Sequence, residues 1–158
     1  MGRNARADVR GPWRVIALDT NMLVHAHRRE STFHDKARQL VTALAASGSA
    51  WAIPWPCVHE FHGVVTNVRA FKPASTIAEA SAQLSGWMAS PSLVLLHEGV
   101  DHWAALQQLR VSARVVGGQI HDARIAAICI EHGVRELWSA DRDLNRFPSL
   151  SVRNPLFG

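Results

Sequence analysis

The chain has 158 residues, 47% hydrophobic and 19% charged, with 17 basic against 13 acidic side chains. That length fits one domain able to bury roughly 70% of its unfolded surface, and the balance excludes a disordered chain and one that needs disulfide staples. No apolar run reaches the roughly 18 residues of a membrane span, and the opening MGRNARADVRG holds no secretory apolar segment, so a cytoplasmic protein without a membrane partner is expected.

The net charge of +4 favours a polyanionic partner. Residues 1–14, with Arg3, Arg6 and Arg10, read as a flexible, solvated arm ahead of a single domain over 15–158. Val15 to Leu18 is a short apolar run that ends on Asp19-Thr20-Asn21, the pattern of a buried parallel strand. Met22 to His27 suits a short helix. Ser31 or Thr32 suits the cap of the next, with Asp35 completing a capping box and Phe33, Ala37, Leu40, Val41 and Leu44 on one face. Gly48 is its expected stop. Trp51 to Pro56 predicts a strand, and Pro56 the first position of a helix whose buried face is Val58, Phe61, Val65 and Val68. Helices over Ser75–Ala89 and Val100–Leu109 flank a strand over Ser92–Glu98. QIHDARIAAICIEHG is a strong helix with Gly133 at its C′ position, Glu136–Asp141 a strand, and SLSVRNP a last short one. Strands alternating with helices predict an α/β fold with a mainly parallel sheet. Cys57 and Cys129 have no metal-ligand spacing and read as buried, reduced thiols.

Two strands end in an acid, at Asp19 and Asp141, and two helices begin near one, at Glu60 and Asp122. In an open parallel sheet the carboxyl ends of the strands form the ligand-binding edge. Four carboxylates meeting there repel one another. A divalent cation removes the conflict, because Mg²⁺ prefers oxygen ligands, takes one or two carboxylates directly and keeps its waters. Such a site suits metal-assisted attack on a phosphodiester. Singly, each acid also fits a structural role, as an Asx turn or as a favourable charge near a helix N-terminus.

The four blocks ALDTNMLVHA, HEF, IHDARIAAIC and WSADRDLNRF together resemble the PIN-domain ribonucleases, in the branch of the VapC-type toxins of toxin–antitoxin pairs. The resemblance spans Val15 to about Pro155 and implies a three-layer α/β/α fold. It maps the family's acidic quartet onto Asp19, Glu60, Asp122 and Asp141, with Asn21, Ser139 and Asp143 at accessory positions. It implies an Mg²⁺- or Mn²⁺-dependent endoribonuclease acting on RNA, a homodimer, and silencing by a small antitoxin. The last block departs from the family pattern, with Leu144 after Asp143 where phenylalanine is usual and Phe147 further on.

Arg124, Arg142 and Arg146, with Arg28 and Arg29, flank the acidic blocks and are candidates for an RNA-binding rim. Trp87, Met88 and Trp103 suit either core or a partner groove, with Trp103 expected in the core. The alternatives are a non-catalytic PIN-like protein that binds RNA or a partner, and a metal phosphohydrolase of another fold, suggested by the His-Asp pairs at 34–35 and 121–122. HEFH at 59–62 approaches HExxH, but its histidines are three apart rather than four, which opposes a zinc-peptidase helix.

Overall fold

The computed structural model describes residues 15–157; the expected arm over 1–14 lies outside them. Five strands form one sheet: β1 (Ile16–Leu18), β2 (Trp51–Pro54), β3 (Leu93–Leu96), β4 (Glu136–Trp138) and β5 (Val152–Arg153). Their order is β3-β2-β1-β4-β5, and every neighbouring pair is parallel. The helices are α1 (Thr20–His27), α2 (His34–Ala46), α3 (Trp55–Val65), α4 (Ile77–Met88), α5 (His102–Ser112) and α6 (Gln119–Glu131). A short 3₁₀ turn spans Arg142–Arg146.

The strand order explains the layering. From β1 the chain steps outward through β2 to β3, then returns past β1 to β4. Crossovers between parallel strands are right-handed, so reversing the direction of travel moves the connecting helices to the opposite face. Accordingly α1 to α4 pack against one another and α5 packs against α6. This is the helix–sheet–helix arrangement expected from the sequence. An all-parallel sheet also removes the essentially all-helical phosphohydrolase alternative.

The core follows from the two covered faces. All four residues of β2 are buried, and Trp51, Phe61, Phe147, Leu18 and Ile125 are among the largest enclosed side chains. In α6 the run Ala123, Ile125 to Cys129 is buried. The alanines in it let the helix lie close to the sheet. Cys57 and Cys129 are free and buried, as expected. Gly48 and Gly133 hold positive φ of 74° and 64° just past helix ends, where glycine is least strained.

Several boundaries differ from expectation. No capping box forms at Thr32 and Asp35, because Phe33 precedes α2 without a side-chain cap and the Ser31 hydroxyl accepts instead from the Phe33 N–H (3.1 Å). A side-chain cap forms instead at Thr76, whose Oγ1 accepts from the Glu79 N–H (3.1 Å) and donates to Glu79 Oε1 (3.2 Å). Pro56 sits inside the first turn of α3 rather than opening it, and Pro54 precedes the helix. Val68 lies beyond α3 and is 68% exposed, not on its buried face. Trp103 is 63% exposed, so it is not core; its ring lies under the Arg110 guanidinium at 5.3 Å. Trp87 is buried against Phe61 (5.2 Å between ring centres).

Candidate active site

The strand order reverses between β1 and β4, the switch point at which parallel sheets bind ligands. The Asp19 N–H donates to the Trp138 carbonyl (3.0 Å), so the β1–β4 ladder runs one residue past β1 and delivers the carboxylate to the sheet edge. Ser139 follows β4 at the same edge and is buried. Asp122 sits in the first turn of α6 as expected, but Glu60 lies midway along α3 rather than at its start, because α3 already begins at Trp55 directly after β2. Asp141 caps the 3₁₀ turn by accepting from the Asp143 N–H (2.9 Å). These four elements surround a cleft of about 330 Å³ lined by Asp19, Glu60, Asp122 and Asp141. Asn21, Thr20 and His25 line it beside them, and Val24 and Val64 supply an apolar wall.

Asp19 is only 6% exposed, and its carboxylate is gripped on both oxygens. Oδ1 accepts from the Thr20 N–H (2.8 Å) and the Cys57 thiol (3.6 Å). Oδ2 accepts from the Ser139 hydroxyl (2.7 Å) and the Asn21 amide (3.1 Å). Asn21 also donates to Ser139 Oγ (3.0 Å) and accepts from the Ala140 N–H (2.9 Å), while the Asp141 N–H donates to Ser139 Oγ (3.0 Å). One connected network therefore ties the end of β1 to the turn after β4. Glu60 joins from α3, where its Oε2 accepts from the Thr20 hydroxyl (2.6 Å).

The electrostatics match crowded anions. Burial raises the Asp19 pKa, the hydrogen bonds from Ser139 and Thr20 oppose that rise, and the Glu60 charge adds to it. Burial also raises Asp122, followed by repulsion from Asp141, Asp19, Glu60 and Asp143 in that order. The Cys57 thiol, enclosed beside Asp19, is pushed well above its usual range and stays protonated as a donor. Among the described residues none of the four carboxylates forms an ion pair. Nor do any three His, Cys, Asp or Glu side chains among them close into a tight metal cage. A closed zinc site, such as HEFH would require, needs such a group.

The accessory residues separate. Asn21 and Ser139 hold Asp19, whereas Asp143 is exposed and meets Asp141 through its backbone. The arginines do not line the cleft. Arg124 pairs with Glu98, and Arg146 donates to the Asp143 carbonyl (3.1 Å). Arg28 is occupied by Glu30, Ser75 and the Pro73 carbonyl, which removes it from the rim; Arg29 and Arg142 are exposed. Sequence reasoning missed Thr20, Cys57 and His25. Thr20 was visible as the hydroxyl inside DTN, and His25 by its helical spacing from Asn21; Cys57 carried no signal.

The PIN domain model matches residues 16–150. Ribonuclease VapC43 of Mycobacterium tuberculosis is 34% identical over 144 residues, which cover 91% of this chain and 97% of the relative. Ribonuclease VapC48 of the same organism is 28% identical over 141 residues, covering 89% and 97%. Among solved structures, VapBC2 of Rickettsia felis, bound to a DNA fragment from their promoter, has a TM-score of 0.66 at 19% identity, covering 89% of this chain and 98% of that one. VapC20 of Mycobacterium tuberculosis, described as a sarcin-ricin loop cleaving toxin, has a TM-score of 0.63 at 16% identity, covering 88% and 99%. The match over nearly the whole chain, together with the switch-point cleft that the fold builds, establishes that this chain belongs to the PIN-domain family and is a relative of the VapC ribonucleases.

Proposed function

We propose that the chain is a divalent-metal-dependent endoribonuclease that hydrolyses RNA phosphodiester bonds, and that it is the toxin of a toxin–antitoxin pair. The observation that carries this reading is the set of four carboxylates from four elements around one cleft, with no lysine or arginine among the described residues that line it. The donor set is all oxygen, which fits Mg²⁺ or Mn²⁺. Asp19 and Asp122 would hold the principal ion, directly or through water, and Glu60 and Asp141 would complete its surroundings. Such an ion, when bound, supplies Lewis-acid polarisation and neutralises charge on the phosphate.

The chain's own residues do the rest. The Thr20 N–H, Ser139, Asn21 and Cys57 fix the Asp19 carboxylate in one orientation, so no reorganisation is needed as substrate arrives. Thr20 holds Glu60 on the facing wall. Asp122 accepts no hydrogen bond from a described side chain, which leaves its oxygens available to orient the attacking water. Exposed Arg142 and Arg29 are the arginines still available to meet the RNA backbone.

The VapC names of the relatives and the VapBC assemblies among the structural neighbours support an antitoxin partner, whose basic side chain would balance the acids. Exposed Met88 and Trp103 offer apolar surface to that partner or to a second copy of the chain. Cleavage mapping on total RNA tests the reading. Discrete cuts are expected in Mg²⁺ or Mn²⁺ and none in EDTA or with Asp122→Asn. Cleavage indifferent to EDTA, or none with either metal, would overturn it.

A further inference from the structure

We propose that His25, Phe33 and Phe157 form a stacking track that receives unpaired bases of single-stranded RNA beside the acid cleft. The inference rests on the ribonuclease reading and adds to it a way of choosing substrate.

His25 lines the cleft. It stands on α1 at helical spacing from Asn21, so the helix that helps hold Asp19 also presents this ring. Its Nδ1 is tied to the Ser31 hydroxyl (2.6 Å), and its main-chain carbonyl accepts from His34 Nδ1 (3.0 Å). The ring is thus fixed from one side, and its Nε2 has no hydrogen-bond partner among the described residues. Burial lowers the His25 pKa, so the ring is a neutral aromatic near pH 7. His25 meets Phe33 edge to face, with ring centres 5.4 Å apart and planes at 75°. Phe33 meets Phe157 in the same way, at 5.2 Å and 79°. The series runs from the cleft outward and ends on Phe157, which is 67% exposed.

Phe33 is half-buried and packs against the core, so it props the two outer rings, and the faces offered to a base are those of His25 at the cleft and Phe157 at the surface. An edge-to-face contact uses one aspect of a ring and leaves the terminal ring open to solvent. Stacking on such rings is how proteins hold unpaired bases, and it tolerates any base because every base has a π-face. Charge agrees as well. Between Arg28 and Arg38 the chain carries Arg28, Arg29, Lys36 and Arg38 against Glu30 and Asp35, and Arg28 already neutralises Glu30. A duplex keeps its bases paired and stacked, so the track discriminates against it.

The test uses the full chain with Asp122→Asn to prevent cleavage, in Mg²⁺, and an eight-nucleotide oligoadenylate carrying one 2-aminopurine. Wild-type residues at the track should change the 2-aminopurine emission on binding and favour the single strand over its duplex with oligouridylate. Phe157→Ala should weaken the single-strand complex about 5- to 100-fold. Phe157→Trp should preserve the affinity, and Phe157→Leu should not. A strand made abasic throughout should bind Phe157→Ala and its parent alike. Near-ultraviolet circular dichroism checks that each variant is folded. Full rescue by leucine, equal weakening on the abasic strand, or no change with alanine would overturn the track. So would a Phe157→Ala effect on self-association or antitoxin binding without one on RNA. If the protein without Asp122→Asn cuts no RNA at all, the ribonuclease reading fails first; if it cuts normally and Phe157 is indifferent, only the track fails.

Discussion

Asp19 and Asp122 are both crowded acids, but their surroundings make different demands on a substitution. Asp19 accepts on both oxygens, so Asp19→Asn turns one acceptor into a donor facing Ser139 and Asn21 or facing Thr20 and Cys57. That mismatch costs about 1–3 kcal/mol and offsets the relief of repulsion. Asp122 has relief to gain and no such bond to lose. Asp122→Asn should abolish at least about 99% of cleavage while raising thermal stability, by no more than about 1 kcal/mol for a half-exposed charge. The pH dependence has a definite sign. Because the folded pKa of Asp122 is raised above 3.8, the native state binds more protons than the unfolded state between those values, and stability is lost as pH rises through that window. Thermal melts of the two proteins should therefore coincide below about pH 3.8 and separate above it, in favour of the variant. Ser139→Ala removes a donor from Asp19 and an acceptor from Asn21 and the Asp141 N–H, so activity should fall about 10- to 100-fold in a cleavage assay.

Among elements, the strands and the acid-bearing helix α6 were legible because their signals are local: an apolar run ending on a turn-prone acid, or a strong apolar periodicity closed by Gly133. Asp19 and Asp122 were legible for the same reason, at the end of a strand and in the first turn of a helix, whereas Glu60 stands midway along α3 and Asp141 caps a 3₁₀ turn beyond the end of β4, placements set by where those elements actually begin and stop. What stayed hidden depends on distant neighbours. The exposure of Trp103 follows from α6 covering only one face of α5, and periodicity does not say which face that is. Cys57 donates to a carboxylate 38 residues away. Ser31 bonds the Phe33 N–H and the His25 ring while Thr32 and Asp35 form no box, a competition that local pattern cannot rank. Burial then sets the scale of response. Trp51→Ala, in fully enclosed β2, should cost about 3–5 kcal/mol in denaturant unfolding, whereas Trp103→Ala should stay within about 0.5 kcal/mol.

For the whole molecule, the reversal of strand order at β1 and β4 makes one rim serve both halves of the chain, and the acids gathered there oppose folding until something positive arrives. A cation that binds only the folded chain should stabilise it by about 2.7 kcal/mol at one hundred times its dissociation constant, a rise of roughly 5 °C or somewhat more in melting temperature. The most direct test of the convergent-acid claim is a calorimetric titration with Mn²⁺ of the metal-stripped protein and of Asp122→Asn. Saturable binding to the unaltered chain, strongly weakened in the variant, is the predicted result. No binding to the unaltered chain, or equal binding to both, would contradict it.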